Sequence, residues 1–368
     1  MKHKQFSSLA FNIGITAFSL FIALLIGAVL FMIAGANPFT AYAVMFTAPL
    51  QDVFGITEMF VRAAPLLLVA LGISISFRSG ILNIGGEGQI LIGAIFGLVV
   101  ALYFPKMHWS LMIPLVFLAS FLGGALWGGI AGWMKAYLNV NEILSTVMLN
   151  YVAIQIYNFL IRGPMMDKNE VVYGTGASQT ARIAREYWLT KLIPGARMHT
   201  GMIFAVVMAV IVFFFLWKTI YGYRMRAVGV EVKAARYAGI NTKWYLLLAM
   251  IFAGGFAGLA GSVEVLGVHH MGLESISAGY GFSGIVVALF GGLHPLGAIP
   301  ASIVFGLLIV GADMMQRAVQ VPAYIILAIQ GLIILAIVSS NVFITKKSMK
   351  VKVLNLFRKP AGRSPHAQ

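Results

Sequence analysis

Long apolar runs separated by short polar breaks dominate this chain. A run of about 20 apolar residues crosses the hydrocarbon core of a bilayer as a helix. Ten runs are read this way: about Leu9–Ala34, Phe60–Phe77, Gly88–Phe104, Leu111–Met134, Ile143–Ile161, Met202–Trp217, Trp244–Leu266, Tyr280–Gly292, Leu296–Ala312 and Pro322–Val342. The pattern predicts an all-α polytopic membrane protein with about ten transmembrane helices. The eighth and ninth runs are short and broken by Gly291, Gly292 and Pro295. Ala48-Pro49 is expected to break a short interfacial helix in the connection 37–58, and Pro65 to kink the second span. Gly123, Gly124, Gly128, Gly129 and Gly132 give the fourth run a close-packing face.

The sharpest polar interruption is RSGILNIGGEGQ, residues 78–89. It places Arg78, Asn83, Glu87, Gln89 and closely spaced glycines between two apolar runs. A carboxylate in an apolar solvent is costly unless it is paired or wet. Glycines so close together let backbones approach one another. Glu87 is therefore a candidate functional group, the alternative being an ordinary loop with a polar helix start. Residues 80–88 and 279–297 are compatible with re-entrant segments as well as with spans. They also share a glycine rhythm (NIGGEGQILIGAIFG and GFSGIVVALFGGLHPLGAIPASIVFG), as an internal repeat or simply through the glycine content of membrane helices.

Composition agrees with the pattern. Of 368 residues, 60% are hydrophobic and 10% charged, where a soluble domain carries roughly 25% charged residues. The net charge is +15. In a membrane protein such an excess sets orientation rather than marking nucleic-acid binding. Most of the Lys and Arg fall at the N-terminus, in the loop 218–243 and in the tail. With ten spans this puts both termini in the cytoplasm. The reading is a transmembrane domain over 1–343, with a cytoplasmic loop 218–243, a long external loop 162–200 and a basic cytoplasmic tail 344–368. The basic start before a long apolar run reads as an uncleaved first span. Cysteine is absent, which excludes a disulfide framework, a thiolate metal site and a cysteine nucleophile.

No GxxxxGK[ST] loop occurs, so ATP is not bound here through a Walker A loop. HExxH and GxSxG are also missing, and the serines lack a recognisable catalytic frame. His269-His270 is adjacent rather than at i, i+4 and reads as surface rather than as a metal site. Polar groups inside apolar runs are the candidate pathway or gate residues: Asn83, Glu87 and Gln89, then Glu142, Asn150, Gln155 and Asn158 along the fifth span. Glu264 in the seventh is another. Amides and carboxylates hydrogen-bond hydroxyls and base edges, and Tyr151, Tyr157 and Phe290 offer flat faces. The alternative is that these groups hold helices together.

In the loop 218–243, Glu231 to Tyr237 fits about two helical turns, closed by Gly239. Ala234 and Ala235 are expected to face outward, suiting a groove on another protein, or the loop simply lies beside anionic lipid. The arrangement of Glu231, Ala234, Ala235 and Gly239 resembles the coupling-helix signature of ABC-importer permeases. RAVG at 226–229, AARYAGI at 234–240, AGGFAGLAG at 253–261 and FRSGILNIGGEGQ at 77–89 resemble the branch serving branched-chain amino acids, ribose and other simple sugars. NEILSTVMLNYVA at 141–153 resembles the permeases paired with a basic-membrane-protein-like lipoprotein, the nucleoside importers. The resemblance covers about Phe60 to Gly331. It implies half of a translocation pathway for nucleosides or a related small polar solute in a bacterial cytoplasmic membrane. It also implies ATPase subunits, a second permease and an extracytoplasmic solute-binding lipoprotein as partners. No cofactor is implied in this chain, ATP-Mg belonging to the partner ATPase. Two other readings stand beside it: an ion-coupled secondary transporter using Glu87 or Glu264, and a membrane protein with no transport role.

Overall fold

The computed structural model describes residues 2–172, 174 and 177–322, with isolated positions between 325 and 339. Most of the tenth predicted span and the basic tail lie outside the described residues. The described chain is helical: α1 (Lys2–Ile33), α2 (Pro38–Gln51), α3 (Val53–Arg78), α4 (Gly86–Tyr103), α5 (Trp109–Leu138), α6 (Glu142–Arg162), α7 (Lys168–Val172), α8 (Gly201–Lys218), α9 (Ile220–Val230), α10 (Val232–Tyr237), α11 (Thr242–Val263), α12 (Tyr280–Phe290) and α13 (Pro295–Val319). A π-helical turn, Glu264–His269, extends α11. Met45–Met314 forms one compact unit, and the described residues outside it form a second. All sites below lie in the first of these.

Among the described residues, seven helices are long and apolar enough to cross a membrane: α3, α4, α5, α6, α8, α11 with its π turn, and α13. The pair α1–α2, bent by 119°, makes an eighth if counted as one span. The ten expected spans shrink for identifiable reasons. The eighth run forms only the 11-residue α12, which at 1.5 Å per residue is about 16 Å long and falls short of the hydrocarbon core. Gly279 opens it and Gly292 closes it, both at positive φ. The ninth run is longer than expected, because Pro295 and Pro300 fall in the first turns of α13, where few helical N–H groups are lost. The connection 37–58 is also more helical than expected: α2 continues two residues past Pro49 before Asp52 caps α3 by accepting from Gly55 N at 2.6 Å.

Glycine sets the packing. Gly124 and Gly128 on α5 face Gly254 and Gly258 on α11, so closely that a methyl group on Gly124 would overlap the Gly254 carbonyl. Gly93 on α4 meets Gly258 in the same way. In lipid there is no hydrophobic force between helices, so this backbone-to-backbone contact supplies the dispersion energy that holds α4, α5 and α11 together.

One end of this unit carries α10 with the ends of α3 and α5: Gly80 abuts Gly229, and Lys243 lies 5.5 Å from the Tyr137 ring centre. The loop 162–200 covers the opposite end. It is ordered by hydrogen bonds to the chain after α11: Leu189 N to Leu266 O (3.1 Å), Ile183 N to His270 O (2.8 Å) and Thr180 N to Gly272 O (3.0 Å). Trp188 stacks on His270 at 3.7 Å, while His269 Nε2 lies 3.4 Å from Glu264. The histidines expected at the surface are both half-buried, His270 under Trp188 of the loop and His269 beside Glu264. No cluster able to hold a metal occurs among the described residues.

His199 is buried with its ring on Gly267, and its Nδ1 accepts from Gly201 N at 3.1 Å. Burial, then the neighbouring His270 and Arg197, push its pKa down to about 4. Burial also pushes His270 down to about 4. Folded values below the unfolded 6.5 mean that the neutral rings favour the docked loop. That contribution is fully present above about pH 6.5 and is lost as pH falls towards 4. Protection of the loop 162–200 against hydrogen exchange, taken relative to the intrinsic rate at each pH, is therefore expected to fall between about pH 6.5 and 4. His199→Gln should flatten much of that pH dependence.

Candidate functional site

The interruption at 79–89 folds into the protein rather than over it. Asn83 and Gln89 are buried and pair with each other: Asn83 Nδ2 donates to Gln89 Oε1 at 2.9 Å, and Gln89 Nε2 donates back at 3.2 Å. Asn83 Oδ1 also accepts from Gly85 N at 2.9 Å. Asn150 reaches across from α6, donating to Ile84 O and accepting from Gly88 N, both at 2.9 Å. Extended backbone in an apolar interior needs such partners, because its N–H and C=O groups have no ladder of their own. Asn83, Gln89 and Asn150 are thus occupied as backbone partners in this structure.

Glu87 is also occupied. It sits in the first turn of α4, and its carboxylate accepts from Gly279 N (3.2 Å) and Gly281 N (2.9 Å) at the start of α12. Ser277 adds a side-chain hydrogen bond. Gly281 packs against the Glu87 backbone, and Gly86 packs against Gly281. The two glycine-rich stretches that share a rhythm therefore meet here, N-terminus to N-terminus, with one carboxylate serving both helix starts.

The fifth-span candidates separate. Five residues of helix turn through about 140°, so Gln155 leaves the face that Asn150 shares with α4. Gln155 is exposed, between Tyr151 (63% exposed) and Phe159 (69%), while Asn158 is half-buried. Tyr151, Val152, Gln155, Ile156 and Phe159 line one open groove. Glu142 lies elsewhere, at the first turn of α6 near the α10 end, paired with Lys135 at 2.8 Å.

A partly buried charged network was missed in the sequence apart from Glu264. Glu58 lies 3.6 Å from Arg62 and 3.1 Å from Arg197 of the long loop. Arg62 donates to Tyr280 Oη at 3.0 Å and lies 3.6 Å from Asp313. Glu264, also buried, pairs with His269 instead. The network ties α3, α12, α13 and the loop together. The signal was available: Glu58 and Arg62 stand four residues apart, at the start of an apolar run.

At the other end, α10 forms as its residues predict. Glu231 caps it by accepting from Lys233 N at 3.1 Å, and Gly239 follows it at φ 77°. The expectation that both alanines face outward is half corrected: Ala234 is exposed, but Ala235 is buried. Neighbours on a helix point about 100° apart, so a short helix lying on the protein turns one of them inward. Its exposed face instead carries Lys233, Ala234, Arg236 and Tyr237, the last 93% exposed.

The sequence profile of the family described as branched-chain amino acid transport system / permease component matches residues 55–338. The chain belongs to this family. It is a permease subunit of an ABC importer, a multi-pass membrane protein that is not itself catalytic, ATP being hydrolysed by a separate ATPase partner. Membership decides against the ion-coupled alternative. Among relatives, the glucose ABC transporter permease protein TsgB13 of Haloferax volcanii is 35% identical over 90% of this chain and 88% of its own length. The guanosine ABC transporter permease protein NupP of Bacillus subtilis is 31% identical over 88% and 92%. The nucleoside ABC transporter permease protein NupB of Lactococcus lactis is 36% identical over 80% and 82%. No solved structure gives a significant match.

The hydrogen bonds of Asn150 separate a structural role from solute contact. Asn150→Ala strands a buried N–H and a buried carbonyl, each costing about 1–3 kcal/mol. The thermal midpoint of the detergent-solubilised subunit should fall with no solute present. An unchanged midpoint together with lost uptake would instead assign Asn150 to the solute.

Proposed function

We propose that this permease forms one half of the pathway for a nucleoside or a related small polar solute such as a sugar, in the cytoplasmic membrane of a prokaryotic cell. The observation that carries the reading is Gln155, an exposed amide about two turns inside the C-terminal end of spanning helix α6. Polar groups facing lipid are costly and rare, whereas a water-filled pathway welcomes them. Tyr151 and Phe159 beside it offer flat apolar faces to a base or sugar ring, and the amide offers a donor and an acceptor. A second permease subunit would complete the wall. The names of the bacterial relatives, guanosine and nucleoside permeases, support a nucleoside, and the archaeal relative's name supports a sugar.

The chain ends lie in the cytoplasm in this reading, as does the loop 218–243. There α10, with Glu231 capping it, Ala234 on its open face, Ala235 as its buried anchor and Gly239 as its stop, docks on the ATPase. The loop 162–200 then faces an extracytoplasmic solute-binding lipoprotein. ATP-driven closure of the ATPases moves α10 and rocks the spans, opening the pathway to each side in turn. Asn83, Gln89 and Asn150 act as pins of the permease core. Glu87 and Glu142 serve at gates or packing joints rather than in solute selection.

The complex reconstituted in liposomes should take up labelled nucleoside with ATP, even when an ionophore has collapsed the ion gradients. Glu231→Arg removes the α10 cap and reverses its charge. It should cut uptake by an order of magnitude or more and release the ATPase on purification. Uptake that follows the ion gradient, or that is indifferent to Glu231→Arg, would overturn the reading.

A further inference from the structure

Two arginines on the α10 end share a single indole. Arg78, the last residue of α3, donates to Leu293 O (2.6 Å) and Gly292 O (3.1 Å) in the turn before α13. Its Cζ lies 4.8 Å from the Trp217 ring centre, and that of Arg226 on α9 lies 5.4 Å away. The His294 ring lies 4.7 Å from the same indole. Burial, then the Arg78 charge, hold His294 below its usual pKa, so this corner resists further positive charge. Among the described residues, neither guanidinium has a carboxylate partner, and Arg226 Nε is buried with no hydrogen bond. Two like charges around one ring repel each other, and an anion between them would relieve that repulsion.

The surroundings identify the anion's source. Trp217 ends a spanning helix, Lys218 next to it is exposed, and Tyr221 (56%) and Tyr223 (62%) stand exposed on α9. Such an aromatic and basic belt lies at the level of lipid headgroups. Guanidinium N–H groups match phosphate oxygens; Arg78 spends Nε and Nη2 on the two carbonyls, which leaves Nη1, and Arg226, its Nε being buried, would offer its Nη groups. We propose that Arg78 and Arg226, braced by Trp217, bind the phosphate of an anionic phospholipid headgroup. The bound lipid neutralises the pair and ties the end of α3 to α9, next to α10.

The test is native mass spectrometry of the full-length chain in non-ionic detergent, titrated with phosphatidylglycerol or phosphatidylcholine. The wild type should retain one phosphatidylglycerol in preference to phosphatidylcholine. Arg226→Gln should weaken retention about tenfold, as expected for one lost charge-assisted contact. Arg226→Lys, which keeps the charge without the fork, should fall between and covers a glutamine variant that does not fold. Arg224→Gln should bind as wild type, because Arg224 is engaged with Tyr245 Oη at 3.1 Å. Equal retention by Arg226→Gln, or equal loss in Arg224→Gln, would overturn the proposal. Displacement of the lipid by millimolar inorganic phosphate would make the ligand a free anion. Unchanged lipid retention with loss of ATPase co-purification in Arg226→Gln would give the pair to an acidic protein surface instead.

Discussion

The carboxylate of Glu87 is the joint on which this permease core depends. Two helices, α4 and α12, begin in the protein interior and point their N-termini at one another. Each start carries unsatisfied N–H groups and a partial positive charge. A negative side chain between them offsets both and is itself held by hydrogen bonds to Gly279 and Gly281. The backbones come this close only because residue 281 is glycine, whose Cβ would otherwise collide with the Glu87 backbone. The Asn83–Gln89 pair and Asn150 then fix the extended segment that leads into α4. A cluster that reads as solute contacts is therefore first a solution to a backbone problem: non-helical chain inside a membrane protein must find its partners within the protein.

What the sequence makes legible follows from what lipid demands. Long apolar runs announced α3 to α6, α8 and α11 with ends displaced by a few residues, and the Glu231 and Gly239 signals framed α10. The failures are those of local pattern. Hydropathy does not set the length of a helix, so the eighth run reads as a span while α12 is only 11 residues long. Glycines at positive φ set that length. The network around Arg62 was legible as an i, i+4 pair with Glu58, but its partners Arg197, Tyr280 and Asp313 come from distant segments. Likewise, Asn150, Gln155 and Asn158 share a helix without sharing a function. One neighbour, the segment leading into α4, claims Asn150 and leaves Gln155 on the open side.

In the proposed reading, the work of transport falls on the two ends and one face of the unit. The loop 162–200 is fastened to the end of α11 by backbone hydrogen bonds and by the Trp188–His270 stack. The Arg197–Glu58 pair joins the same loop to α3. At the other end α10 stands out from the helices with Tyr237 fully presented. Between them, glycine-lined crossings of α4, α5 and α11 supply contact without interlocking side chains, an arrangement suited to rocking. In that reading the open face of α6 is the surface that a second subunit and the solute would complete.

The natural absence of cysteine makes that face directly testable. Gln155→Cys gives this subunit a single thiol, whose labelling can be followed in the complete importer. A membrane-impermeant, water-soluble thiol reagent should label it, at a rate that changes when the ATPase is trapped with nucleotide. Solute should slow the labelling. Labelling only by a lipid-soluble reagent, indifferent to nucleotide and solute, would show that α6 faces the bilayer and would contradict the account.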